Sequence, residues 1–220
     1  MPSLLDFRTL YESGDFDAAM KLYKMISAQA LDSNQTEDVW TAPRQEKIAF
    51  DFADPNIVTM RTAAKDDTHT YDIWYLPWKR SDVTGITLNG EGPGYFSTSQ
   101  MNGCRFTIHF ADDSHKQVTV LHAAGDLKRQ EREEGENKAL NNAQTPQLTR
   151  RYSMSIGRNG LDAFKGVDGL KAYKQDTTRQ VYDGGMAWIF GVRSKEGVWS
   201  FFAQAQKYDK TAVVSFKQLM

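Results

Sequence analysis

One cysteine, Cys104, is all the thiol chemistry this 220-residue chain carries. A single thiol excludes an internal disulfide framework and any zinc or iron–sulfur site built from several thiolates. Charge of one sign is missing as well: 27 Lys and Arg stand against 28 Asp and Glu, a net charge of -1. Without a basic excess there is no electrostatic footprint for a phosphate backbone, so nucleic acid is disfavoured as a ligand. No apolar run approaches membrane-spanning length, and no membrane partner is expected. The opening stretch MPSLLDFRTLYESGD is acidic early and lacks the apolar core of a secretory signal. The expectation is a chain made in the cytoplasm with no cleaved signal; an effector secreted or delivered into host cells by another route would read the same. Internal repeats and low-complexity tracts are also absent.

What is present is a folding chain. Hydrophobic residues make up 40% and aromatics 12%, with five Trp and twelve Phe, enough to bury a sizeable core without staples. Residues 15–31, DFDAAMKLYKMISAQAL, carry Ala19, Leu22, Tyr23, Ile26 and Ala30 at helical spacing, with Asp15 and Asp17 near the start. A polar stretch with Pro43 follows, so residues 1–44 read as a helical extension and linker and 45–220 as the main domain. The runs EKIAFDF, NIVTMRT, YDIWYLPW, VTGITL, RFTIHF and KQVTVLHAAG read as strands, as do RRYSMSI, MAWIFGVR, VWSFFAQAQ and AVVSF. A four-residue turn at 194–197 would put Trp188, Phe190 and Val192 on one face with Trp199 and Phe201, as core. Residues 126–143 are densely charged with mixed sign: a solvated helix or mobile loop interrupted by Gly135, with a lid beside the site as the weaker reading. The fold class expected is α+β, a mainly antiparallel β-sandwich core flanked by helices.

The cysteine sits at the end of TSQMNGC and opens the run RFTIHF. Pairing residues 104–110 with 116–122 about Asp113 matches Ile108 with Val118 and Phe106 with Val120, and sets Cys104 across from His122. Opposed residues have Cβ atoms about 4.5–5.5 Å apart, within reach of a thiol–imidazole contact. On that register His109 points to the other face and His115 lies in the loop, leaving His122 as the natural partner. An imidazolium beside a thiol lowers its pKa and raises the thiolate fraction. The thiolate attacks an amide or ester carbonyl, and backbone N–H groups around Gly103 bind the oxyanion. Gly103, lacking Cβ, lets the backbone turn sharply there. Thr98, Ser99, Gln100 and Asn102 all lie upstream with groups able to orient the imidazole, and spacing does not choose among them. GEGPG at 90–94 has no following Lys-Ser/Thr, so it reads as a loop beside the site and not a phosphate cradle. His69 beside Asp66 and Asp67 reads as a polar turn rather than a metal site.

Thr98-Ser-Gln-Met-Asn-Gly-Cys104, followed after a strand and turn by Val118-Thr-Val-Leu-His122, resembles the Cys-His glutamine deamidases. That group includes the catalytic domain of cytotoxic necrotizing factor, Burkholderia lethal factor and the chemotaxis receptor deamidase CheD. Thr98 stands where several members carry a Thr six residues before the Cys, and Trp74-Tyr-Leu-Pro-Trp78-Lys79 is similar to a Leu-Pro-Trp-Lys stretch ahead of the active site in Burkholderia lethal factor. Asn102 departs from the usual Ser. The resemblance implies Cys104, His122 and Thr98 as catalytic residues, with Gly103 and Asn102 at the oxyanion turn. It implies no metal or organic cofactor, a protein substrate bearing a reactive glutamine, and a toxin or effector acting as a monomer. Two other readings keep the same residues: a thiol protease or acyltransferase, and a non-enzymatic binding module with a buried Cys and His.

Overall fold

The computed structural model describes residues 3–27, 43–54, 56–101, 103–142, 153–156, 186–206 and 213–219. Asn102, the end of the expected first helix, residues 28–31, and most of the linker lie outside them. Two short helices lead. In α1 (Leu4–Ser13) Ser3 and Asp6 form a capping box, and Gly14 ends the helix in the left-handed conformation at φ 81°. In α2 (Phe16–Leu22) Asp15 accepts from the Ala18 N–H.

The helix expected over 15–31 stops at Leu22, and Lys24–Ser27 form strand β1 instead. The reason is tertiary: β1 pairs in parallel with β3 (Ile57–Thr62), and those ladder bonds outweigh local helix preference. Gln204 and Gln206 fix the same segment. Gln204 Nε2 donates to the carbonyls of Met20 and Tyr23, its Oε1 accepts from Met25 N–H, and Gln206 Nε2 donates to Met25 O. Residues 4–27 are thereby built into the core, where Phe7, Tyr11, Phe16 and Met20 pack against Phe50, Ile73, Trp188 and Phe190.

The chain is a mixed α and β protein made mostly of strands. The remaining strands are β2 (Arg44–Asp54), β4 (Tyr71–Leu76), β5 (Val83–Leu88), β6 (Tyr95–Thr98), β7 (Arg105–Phe110), β8 (Val118–Ala123), β9 (Ser153–Ile156), β10 (Met186–Arg193), β11 (Trp199–Gln206) and β12 (Val213–Gln218). Eight form one sheet in the order β1-β3-β2-β4-β6-β10-β11-β12, and four form a second, β5-β8-β7-β9. Pairing is antiparallel except at β1–β3 and β4–β6. The sandwich expected from the strand pattern is not what the large sheet makes. It curls until β1 meets the glutamines of β11, a nearly closed, barrel-like sheet around α1 and α2. The small sheet covers the other face of its central strands. Phe106, Ile108, Val118 and Val120 meet Phe96, Ile189 and Phe201 there.

The β10–β11 turn holds a correction. Arg193 pairs with Trp199, so the loop has one residue more than the expected four, and Phe190 faces Phe202. One residue of slip exchanges faces. Trp188 and Phe190 therefore point to the helices, while Trp199 and Phe201 point to the small sheet.

The charged segment is helix α3 (Arg129–Asn142), which lies on β5 and β8. Exposed i,i+4 bonds, Arg129 to Glu133 at 3.1 Å and Gln130 to Glu134 at 2.9 Å, support it. A Cβ on Gly135 would sit 2.6 Å from Val83 Cγ2, so this glycine allows close approach to β5 and does not break the helix. Among the described residues no helix is long and apolar enough to cross a membrane.

Candidate active site

Strand β7 begins one residue after the cysteine, and the observed register with β8 places Phe106, not Cys104, opposite His122. The hairpin is centred one residue later than expected. Ala111 N–H closes on Gln117 O, His115 takes a left-handed φ of 55° within the loop, and its ring stacks on Phe110. Because the slip amounts to two residues in pairing, every side chain keeps its face. Cys104 continues the series Phe110, Ile108, Phe106, and His122 continues Val118 and Val120. Cys104 is thus diagonal to His122 rather than directly across. Diagonal neighbours lie about 7–8 Å apart, their Cβ atoms somewhat less, a separation that needs the ring and thiol to extend toward each other.

His122 makes its defining contact across the gap between the sheets. Thr98, at the end of β6, lies with Oγ1 2.8 Å from His122 Nδ1. The same hydroxyl donates to Leu76 O at 2.8 Å, on neighbouring strand β4. A hydroxyl has one hydrogen, so with Leu76 O taking it, Nδ1 must be the donor to Thr98. That leaves Nε2 as an acceptor, and Nε2 has no hydrogen-bond partner among the described residues. Of the three upstream candidates that are described, Thr98, Ser99 and Gln100, Thr98 is the one seen on the ring. Ser99 Oγ accepts from Trp78 N–H at 2.8 Å and lies 3.2 Å from Tyr75 Oη, and Gln100 Nε2 donates to Gln206 Oε1 at 2.6 Å.

The electrostatics differ from the expected ion pair. Burial pushes the His122 imidazole down to about 3, so the resting ring is neutral near pH 7. A neutral ring with a fixed Nδ1–H and a bare Nε2 has the tautomer of a proton acceptor, while its burial opposes charging unless a negative charge, such as a thiolate, forms beside it. The thiol itself is 4% exposed and His122 1%. Gly103 takes φ 90°, the left-handed turn that favours glycine.

GEGPG is not beside these groups. It lies at the other end of β6 from Thr98, where Arg193 Nη1 donates to the carbonyls of Asn89 and Glu91 and its Nη2 to Gly92 O. Asp67, near His69, is bound instead to Arg61 at 2.6 Å. Among the described residues no cluster of His, Cys, Asp or Glu is arranged to hold a metal.

Three residues around the thiol were not singled out by the sequence. Gly125 lies flat on the Gly103–Cys104 peptide, where an added Cβ would come 2.8 Å from Gly103 C. Arg132 Nη2 donates to Gly125 O at 2.7 Å and Gly103 O at 3.4 Å. Glu136 takes a two-pronged, buried ion pair from Arg105, at 2.8 and 2.7 Å. The available signal was Arg132 and Glu136 four apart in a charged segment, with Gly125 following the LHAA run. No protein-family model matches this chain, and no curated protein matches it either.

Proposed function

We propose that the protein is a cysteine-dependent hydrolase that converts a glutamine side chain of a target protein to glutamate, in the manner of a bacterial toxin or effector. The observation that carries this reading is the contact of Thr98 Oγ1 with His122 Nδ1: with the Thr98 hydrogen given to Leu76 O, Nδ1–H is the donor, and His122 keeps a bare Nε2 on the face that Cys104 shares.

The chemistry balances with these groups alone. Cys104 Sγ–H gives its proton to His122 Nε2 while sulfur attacks the carboxamide carbon, and the carbonyl π pair moves onto oxygen. The oxyanion collapses, the C–N bond breaks, and His122 returns the proton to the leaving nitrogen as ammonia. Water then gives a proton to Nε2 and attacks the thioester. Sulfur leaves as the thiolate and regains its proton from His122, and the net change is glutamine plus water to glutamate plus ammonia.

Burial of the thiol favours a side-chain amide over a backbone one. A glutamine side chain is a thin rod ending in its carboxamide, whereas a peptide bond enters with bulk on both sides. The same burial supports a second reading, a binding module in which Cys104 and His122 are packing residues. Candidate target proteins incubated with wild type and Cys104→Ser, then weighed intact, separate these. The deamidase reading expects an amide-to-acid mass gain with wild type only. Fragments would indicate a protease. Target masses that never change, together with a folded-state thiol inert to iodoacetamide, would leave the binding module.

A further inference from the structure

Helix α3 brackets Cys104 from the far side of the small sheet. Arg132 and Glu136 are four residues apart, hence on one helix face. Glu136 binds the side chain of Arg105, the residue after the cysteine, and Arg132 Nη2, bound to Gly125 O at 2.7 Å, reaches the carbonyl of Gly103, the residue before the cysteine, at 3.4 Å. Arg105 alternates with Phe106, whose ring faces the large sheet, so Arg105 and α3 lie on the opposite face from Phe106 and His122.

The Gly103–Cys104 peptide is planar and trans, so its N–H points away from its carbonyl. With that carbonyl turned to Arg132 and its flat side covered by Gly125, the plane has little freedom to rotate. We infer that Arg132 is a positioning residue, which holds this peptide so that the Cys104 N–H is directed away from α3, to the side where an acyl oxyanion forms. The inference rests on the reading of Cys104 as a nucleophile.

Two reagents applied to the full-length protein test it. Iodoacetamide alkylates a thiol without forming an oxyanion. p-Nitrophenyl acetate acetylates it through one: sulfur bonds to the carbonyl carbon, the π pair moves to oxygen, p-nitrophenolate leaves, and the thiol proton passes to Nε2. Arg132→Gln is expected to keep the alkylation rate of wild type and to lose about a hundredfold in acetylation, the scale of one misplaced oxyanion donor. Arg132→Lys, which retains a cation for one carbonyl, recovers part of that loss; should Arg132→Gln not fold, the same pair of rates in Arg132→Lys decides. Equal acetylation in wild type and variant overturns the inference, as does a parallel fall of both rates, which would mark a purely structural contact. A wild-type Cys104 that alkylates but takes no acetyl group overturns the nucleophile reading itself, and with it this role for Arg132.

Discussion

Thr98 and His122 belong to different sheets, and their side chains meet at 2.8 Å between Oγ1 and Nδ1. This contact makes the mutual placement of the sheets a condition for the orientation of the imidazole. Leu76 O completes the relay by taking the hydroxyl proton.

Replacing Thr98 with Val removes the acceptor for Nδ1–H while keeping the shape. A buried donor left unpaired costs about 1–3 kcal/mol, which a urea midpoint would register. The ring also loses its fixed tautomer, and Cys104-dependent acyl transfer is expected to fall about a hundredfold or more. Thr98→Ser should restore most of both. An acyl-transfer rate in Thr98→Val equal to wild type would show that the hydroxyl does not orient the base.

Stability should depend on pH through His122. Its folded value lies near 3, below the ordinary value of 6.5, because burial disfavours the charged ring. Between these values the unfolded chain binds a proton that the native state does not, so stability rises with pH. It is complete above about pH 6.5 and is lost on acidification, by up to about 1.4 kcal/mol per pH unit. Glu136, whose carboxyl burial raises, acts in the opposite direction near its own titration. Comparing urea unfolding of wild type and His122→Gln across pH 7 to 4.5 isolates the histidine. Parallel curves would mean that the folded ring takes up its proton at the same pH as the unfolded one.

Glu136→Ala leaves the Arg105 guanidinium buried with its carboxylate gone. Breaking one half of such a pair costs about 3–5 kcal/mol, whereas replacing both partners with apolar residues is often neutral. Arg105→Met with Glu136→Leu should therefore unfold later in urea than Glu136→Ala alone. If the double variant is the less stable of the two, the pair contributes more than desolvation costs.

Gly125→Ala is expected to disturb the thiol's turn. Its Cβ would meet Gly103 C at 2.8 Å and Cys104 N at 3.1 Å, which are backbone atoms that cannot rotate aside. Overpacking of this kind costs about 1–3 kcal/mol. Acetylation of Cys104 should fall more than alkylation does, because the displaced group is the peptide and not the thiol.

Alternation in RFTIHF and VTVLHA was enough to put Cys104 and His122 on one face, and it survived an error in the hairpin centre because the slip was even. At β10–β11 the same reasoning failed, since one extra loop residue moved Trp199 and Phe201 to the opposite face from Trp188 and Phe190. Loop length, which decides parity, is set by turn hydrogen bonds such as Gly197 N–H to Ser194 O, and these leave weak marks in composition. Legible without the fold were most of the strands, the shared face of Cys104 and His122, the lone thiol and the short menu of groups that could orient a histidine. Tertiary structure alone decided that Thr98 meets Nδ1, that Leu76 O fixes the tautomer, that the large sheet curls into a near-barrel around the first helices, and that Arg132 and Glu136 flank the cysteine. Each of those contacts joins segments far apart in the chain, and local periodicity carries no information about which distant strand or helix will arrive.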